Sequence, residues 1–164
     1  MQRKEKGTVN EAGRHWHKIS FALYLALLCY FLFFAEAFGR TEPGQEYHYN
    51  LILFKEIGRF WTNRRMLGFW PVFCNIAGNV IAFLPYGFFL PAIFSGVRGT
   101  ERKLLPGMLR VLFLSLLLSL FVEVVQLVFK VGSFDVDDLL LNTSGGLLGY
   151  MIYFAGRCLR RHKG

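Results

Sequence analysis

Four stretches of the chain are nearly unbroken runs of apolar residues: Ile19–Phe38, Pro71–Phe94, Met108–Phe129 and Val136–Gly156. A helix needs ~20 such residues to cross the hydrocarbon core, because every backbone N–H and C=O must be paired within the segment. Glu36 is the one charge in the first run and the second has none. The third holds Arg110 and Glu123, and the fourth has Asp137 and Asp138 in its first turn. Helices of a soluble bundle would carry polar faces, which these runs lack. The pattern predicts an all-α membrane protein with four transmembrane helices in a bundle. The first run is long for a signal-peptide core, and Phe38-Gly39-Arg40 offers no small-x-small cleavage pattern, so it is read as a retained span.

The segments between the runs add a topology. Residues 50–66 place Leu51, Phe54, Ile57, Phe60 and Trp61 at three- to four-residue intervals, opposite Lys55, Glu56, Arg59 and Arg64. This predicts an outer interfacial amphipathic helix, lying along the membrane or packed on the bundle as a cover. Thr41-Glu42-Pro43-Gly44 reads as a turn, Ser95–Gly107 as a short basic connector, and Lys130–Asp135 as a tight turn. Twelve of the nineteen Lys and Arg residues fall in the N-terminal tail, the second inter-span connection and the C-terminal tail, and Arg110 lies just inside the third span on the same side. Positive charge collects on the cytoplasmic side, so both termini are expected inside. Basic tails at 1–18 and 157–164 then flank a membrane domain at 19–156.

Composition narrows the function classes. Apolar residues make up 54% of the chain, Phe occurs 18 times and charged residues are 18%, which excludes disorder and a soluble basic nucleic-acid-binding domain. Three cysteines without paired spacing exclude a disulfide scaffold. The net charge of +8 is accounted for by topology and attraction to anionic lipids. Membrane lipids are therefore the expected partners, and nucleic acid is not.

Polar groups inside spans are costly and usually face the protein, so their positions are informative. At helical periodicity Asn75, Asn79, Ala82 and Tyr86 fall within about 60° of one another, and Ser115, Ser119, Glu123 and Gln126 within about 80°. Asp135, Asp138, Asn142, Gly145, Gly146 and Gly149 form a third stripe. Glu123 and Asn142 each lie ~9 Å from the outer ends of their spans, and Asn79 ~12 Å. Polar groups thus converge near the outer surface, above apolar inner halves. They can act as hydrogen-bonding glue between helices or line an outward-facing site. Gly145-x-x-x-Gly149 reads as a close-packing pair. Three neighbouring carboxyls, Glu123, Asp135 and Asp138, would not all ionise in a low dielectric without a proton, a cation or an arginine such as Arg64 or Arg65 nearby.

These residues resemble a known family. Asn79 with Phe83-Leu84-Pro85-Tyr86-Gly87, then Ser119-x-x-x-Glu123-x-x-Gln126, then Asp135-x-x-Asp138-x-x-x-Asn142-x-x-Gly145-Gly146-x-x-Gly149 is similar to the VanZ-like pattern over roughly residues 19–155. Asn50-Leu51-Ile52-Leu53-Phe54 resembles that family's outer Asn-Leu-x-Pro-Phe element, with Leu53 in place of the proline. The resemblance implies a bacterial, multi-pass cell-membrane protein whose family is associated with reduced sensitivity to glycopeptide antibiotics, teicoplanin above all. Combined with the polar stripes, it suggests an outward-facing site for the drug or a lipid-linked cell-wall precursor. Asn79, Tyr86, Ser119, Glu123, Gln126, Asp135, Asp138 and Asn142 are the candidate site residues.

Two other readings are a membrane enzyme acting on a lipid phosphate or acyl group, and a small transporter. The enzyme would use Glu123 as acid/base, with Asp135 and Asp138 holding a cation. The transporter would need polar groups through the full depth. All four histidines (His15, His17, His48, His162) lie outside the spans, which removes support for a zinc site. No metal or other cofactor is expected.

Overall fold

The computed structural model describes residues 2–30, 47–94 and 104–162. Six helices and two very short strands follow in the order α1 (Gln2–Tyr30), β1 (Tyr49–Asn50), α2 (Lys55–Thr62), α3 (Arg64–Leu67), α4 (Phe69–Ile93), α5 (Leu104–Phe129), β2 (Phe134–Asp135) and α6 (Val136–His162). Glu36, the turn at Thr41–Gly44 and most of the connector after α4 lie outside the described residues. Helix α5 begins at Leu104, so the end of that connector, expected as loop to Gly107, is helical. Helices α1 and α6 also run on into the segments read as basic tails.

Two helices are long and apolar enough to cross a membrane among the described residues: Val72–Ile93 of α4 and Leu104–Phe129 of α5. Their lengths, about 33 and 39 Å, exceed a hydrocarbon core of ~30 Å. The distribution of their side chains is inverted relative to a soluble protein. Along α5 the buried positions are Gly107, Val111, Ser115, Ser119, Val122, Glu123 and Gln126, while Leu109, Phe113, Leu117, Phe121 and Val128 are exposed. Polar groups inside and large apolar groups outside suit a surrounding solvent of acyl chains. These two helices and the helical content of the described residues are those of an all-α membrane protein.

Helix α6 makes its most extensive contact with α4 and the next with α5, while α1 packs against α4. Glycines explain the closeness of α4 and α6. A Cβ on Gly145 would lie 2.2 Å from the Val80 carbonyl oxygen, and one on Gly149 would lie 1.9 Å from that of Leu84. Both pairs are i,i+4, so one ridge of α6 lies directly on the backbone of α4. Gly87 meets the Gly146 carbonyl in the same way, at 1.8 Å. The expected close-packing role of these glycines is the observed one. Without hydrophobic drive between helices in lipid, such backbone approach supplies the dispersion contact that holds them. Inside the bundle, away from the strap, Tyr86, Leu90, Val111 and Tyr150 form a buried cluster, with Phe21, Tyr24, Leu25 and Met108 packed around it.

The segment 50–66 is not one helix. Asn50 pairs with Asp135 in a two-residue parallel bridge between β1 and β2, residues 51–54 turn, and α2 and α3 are separated at Asn63. Asn63 ends α2 by returning both its backbone N–H and its side-chain amide to the Arg59 carbonyl. Gly68, at φ 81°, then turns the chain into α4. Residues 47–68 form a strap across the bundle end where α4 and α6 begin and α5 finishes.

Candidate functional site

The polar residues of the strap, α5 and α6 meet at this end. Helix α5 stops where Lys130 takes the left-handed conformation (φ 56°), and the Val131 and Gly132 N–H groups return to the Gln126 carbonyl at 3.0 and 3.3 Å. The tight turn delivers Asp135, whose N–H donates to Glu123 Oε2 at 2.9 Å. The Asp135 carboxylate then accepts from Asn50 Nδ2 at 3.0 Å and from the Asp137 N–H at 2.8 Å, both on Oδ1. Asn50 is itself fixed by the Ile52 N–H, which donates to its Oδ1 at 3.1 Å. A continuous chain of hydrogen bonds thus joins strap, α6 and α5. Glu123 is 2% exposed, and the Asp135 N–H meets one of its oxygens in that buried setting.

Asp137 has a different task. Its Oδ1 accepts the Phe54 N–H at 2.5 Å, and its Oδ2 accepts the Glu56 and Ile57 N–H groups at 2.9 and 3.1 Å. Helix α2 has no side-chain cap of its own, and Phe54 at its start sits at φ 63°. Asp137 therefore caps α2 from across the fold, 83 residues away in sequence from Phe54. An anion against the first-turn N–H groups satisfies donors that no helix can satisfy internally, and it opposes the dipole.

Sequence reasoning placed Asp138, not Asp137, in the site. Asp138 lies on another side of α6, where it accepts from Asn79 Nδ2 of α4 at 2.5 Å. The two adjacent aspartates divide the work, one bonding a neighbouring helix and the other the strap. Asn50 was also absent from the candidate set, although its sequence neighbourhood had been singled out. An acid at the second position of an apolar helix reads locally as serving its own N-terminus, and nothing in the sequence shows that a distant helix takes it instead.

Deeper in the bundle, Asn142 Nδ2 donates to Ser119 Oγ at 2.9 Å. Asn142 Oδ1 and Ser115 Oγ are buried without a hydrogen-bond partner. Ser115 lies ~21 Å below the end of α5, so the polar seam runs to mid-helix, deeper than the convergence near the outer surface that the sequence predicts. A Cβ on Gly146 would come within 2.1 Å of Ser115 Oγ, so the seam is tightly packed there. The α6 stripe therefore divides: Asp138, Gly145 and Gly149 face α4, while Asn142 and Gly146 face α5. Tyr86 is not part of the strap-end cluster. It belongs to the buried apolar group deeper in the bundle, where its hydroxyl donates to the Leu114 carbonyl at 3.5 Å.

The arginines also differ from expectation. Arg64 donates to the Trp61 carbonyl at 2.7 Å and lies over the Trp61 ring. The positive charge acting on Asp135 comes from Arg59, which is itself paired with Glu56 at 2.6 Å. Burial nevertheless dominates at Asp135 and pushes its carboxyl above the ordinary range. A raised folded-state pKa means that the native state binds this proton more tightly than the unfolded chain does. Asp135 then costs nothing below the unfolded value near 3.8, and it costs stability increasingly as pH rises through the folded value. Asp135→Asn, which keeps an acceptor for Asn50 and the Asp137 N–H, is expected to flatten that decline. Thermal unfolding in detergent across pH 4 to 7 measures it.

The VanZ/LLP1 family pattern matches residues 21–159, which include the three core helices and the strap. The chain belongs to the VanZ/LLP1 family. It is 35% identical to Protein VanZ of Enterococcus faecium over 81 residues, which is 49% of this chain and 45% of that protein. The matched segment thus spans less than half of that relative. No solved structure matches the chain. The hydrogen bonds among Asn50, Glu123 and Asp135 join acids and an amide of the motifs quoted from the sequence to one another.

Proposed function

We propose that this VanZ/LLP1 protein is a four-span, multi-pass bacterial membrane protein with both termini in the cytoplasm. In this reading the strap lies at the outer surface, and the protein lowers sensitivity to glycopeptide antibiotics of the teicoplanin type. Its strap-end polar cluster binds the drug or the lipid-linked precursor that the drug targets. The topology is supported by the concentration of Lys and Arg in both tails and the connector between α4 and α5, all of which it puts away from the strap. The observation that carries the functional reading is the convergence of Asn50, Glu123, Asp135, Asp137 and Asp138 at the bundle end spanned by the strap, with the apolar group of Tyr86, Leu90, Val111 and Tyr150 packed deeper in the bundle. That deeper apolar packing also speaks against a polar path through the full depth. The carboxylate oxygens are engaged by backbone N–H groups and amides, which favours a shaped binding surface over an acid/base pair.

The test is expression of wild type, Glu123→Gln and Asp138→Asn in a susceptible Gram-positive host, with teicoplanin sensitivity and binding of labelled drug measured side by side. Wild type is expected to raise the inhibitory concentration severalfold. Both substitutions are expected to lose most of that gain while the protein still inserts. Full protection by both variants would reduce the acids to scaffold. Lost protection with unchanged drug binding, together with turnover of a precursor in vitro, would assign an enzyme instead.

A further inference from the structure

The strap shows two different faces. Ile57 and Phe60 are half-buried against the bundle, while every residue from Trp61 to Trp70 is exposed. Trp61 is 62% exposed, Met66 89% and Trp70 69%. Packing on the bundle therefore uses only part of the apolar surface that the sequence gives this segment. Beside that surface stand Lys55, Arg59, Arg64 and Arg65, against one acid, Glu56. Glu56 is taken by Arg59, so three cations of the strap have no carboxylate of the strap to balance them. Arg64 has its planar group held over the Trp61 ring with one nitrogen on the Trp61 carbonyl, which fixes its position and leaves its other donors directed elsewhere. Arg65 follows it directly in sequence. Exposed indoles with adjacent guanidinium groups are what a bilayer headgroup region accommodates, the rings at the level of the glycerol and the cations at the phosphates.

We propose that the exposed face of α2–α3 with the start of α4 is a contact surface for anionic lipid headgroups, with Arg64 and Arg65 taking the headgroup phosphate and Trp61, Met66 and Trp70 entering the upper acyl region. The occupant is the phosphate of a lipid in the adjoining leaflet, not a soluble anion, because the apolar side chains alongside the cations need a hydrocarbon partner. The surface rests on the membrane placement of the bundle given above. It identifies phosphate-bearing lipids as what the strap gathers beside the polar cluster.

Trp61 reports on this contact. In the full-length Trp16→Phe/Trp70→Phe protein it is the remaining tryptophan. Its quenching is measured in bilayers of phosphatidylcholine mixed with either brominated phosphatidylglycerol or brominated phosphatidylcholine. Quenching by the anionic lipid is expected at a several-fold lower mole fraction, on the order of five-fold per arginine. Arg64→Gln/Arg65→Gln is expected to equalise the two lipids, whereas Arg157→Gln/Arg160→Gln at the far end of α6 leaves the preference intact. Raised sodium chloride shrinks the preference in the unmutated arginine background, which keeps the test valid if the double variant fails to fold. Equal quenching by both lipids in that background overturns the proposal while leaving the membrane placement standing. Competition by inorganic phosphate beyond sodium chloride of equal ionic strength also overturns it. Absence of quenching by either lipid overturns both the contact and the placement of the strap at a membrane.

Discussion

Gly149→Val is expected to break the fold of the bundle. The first atom of any side chain at this position would sit 1.9 Å from the Leu84 carbonyl oxygen and 2.9 Å from the Phe88 nitrogen, both backbone atoms that cannot rotate away. Relief requires α4 and α6 to part along their whole line of contact, because Gly145 is held equally close to Val80 one turn earlier. Overpacking usually costs ~1–3 kcal/mol, and a clash with backbone belongs at or above the top of that range. Gly145→Val is expected to behave alike. Gly156→Ala is the control: a Cβ there meets nothing within 4 Å, so the substitution removes a glycine from a helix interior with a gain of about 0.5–1 kcal/mol. Thermal unfolding in detergent, followed by loss of the monodisperse peak, ranks the three. A Gly149→Val protein as stable as wild type would mean that α4 and α6 do not touch through these glycines.

Asp137→Ala is the second large effect, and it is local. The Phe54, Glu56 and Ile57 N–H groups lose their acceptor together. A missing N-cap costs about 0.5–2 kcal/mol, and hydrogen bonds to a charged acceptor about 1.5–3 kcal/mol. Docking of the strap should therefore weaken by roughly 2–4 kcal/mol, a hundredfold or so in its opening equilibrium. The expected signature is faster amide exchange and easier proteolysis in residues 51–67, with amides in the middle of α4, α5 and α6 unchanged. Asp137→Asn keeps one acceptor oxygen and should fall between. Because the strap borders Asn50, Asp135 and Glu123, Asp137→Ala should also reduce any protection against teicoplanin that wild type confers. Unaltered exchange across 54–57 would show that α2 is held by its apolar contacts alone.

Much of this was legible in the chain. The long apolar runs gave α4 and α5 with small shifts at their ends, since helical periodicity and the need to pair every backbone group leave little choice in apolar surroundings. The inward stripe Ser115, Ser119, Glu123 and Gln126 emerged as the buried face of α5, because the periodicity of one helix is a local property. The close-packing role of Gly145 and Gly149 followed from the same spacing. The strap was harder. Its amphipathic spacing predicted one helix over 50–66, but pairing of Asn50 with Asp135 and the cap from Asp137 begin α2 only at Lys55. Both are long-range contacts that no local pattern contains.

By itself, the sequence determined that polar and small residues would turn inward and apolar ones outward, because each helix must hide its costly groups and display its greasy ones in a hydrocarbon solvent. Only the tertiary structure decided which polar groups meet: Asp138 with Asn79, Glu123 with the Asp135 backbone, and Asp137 with the start of a helix 80 residues earlier. A stripe fixes the face on which a side chain lies. Its partner is set by how α4, α5 and α6 are rotated and staggered against one another, and that depends on where glycines let backbones touch.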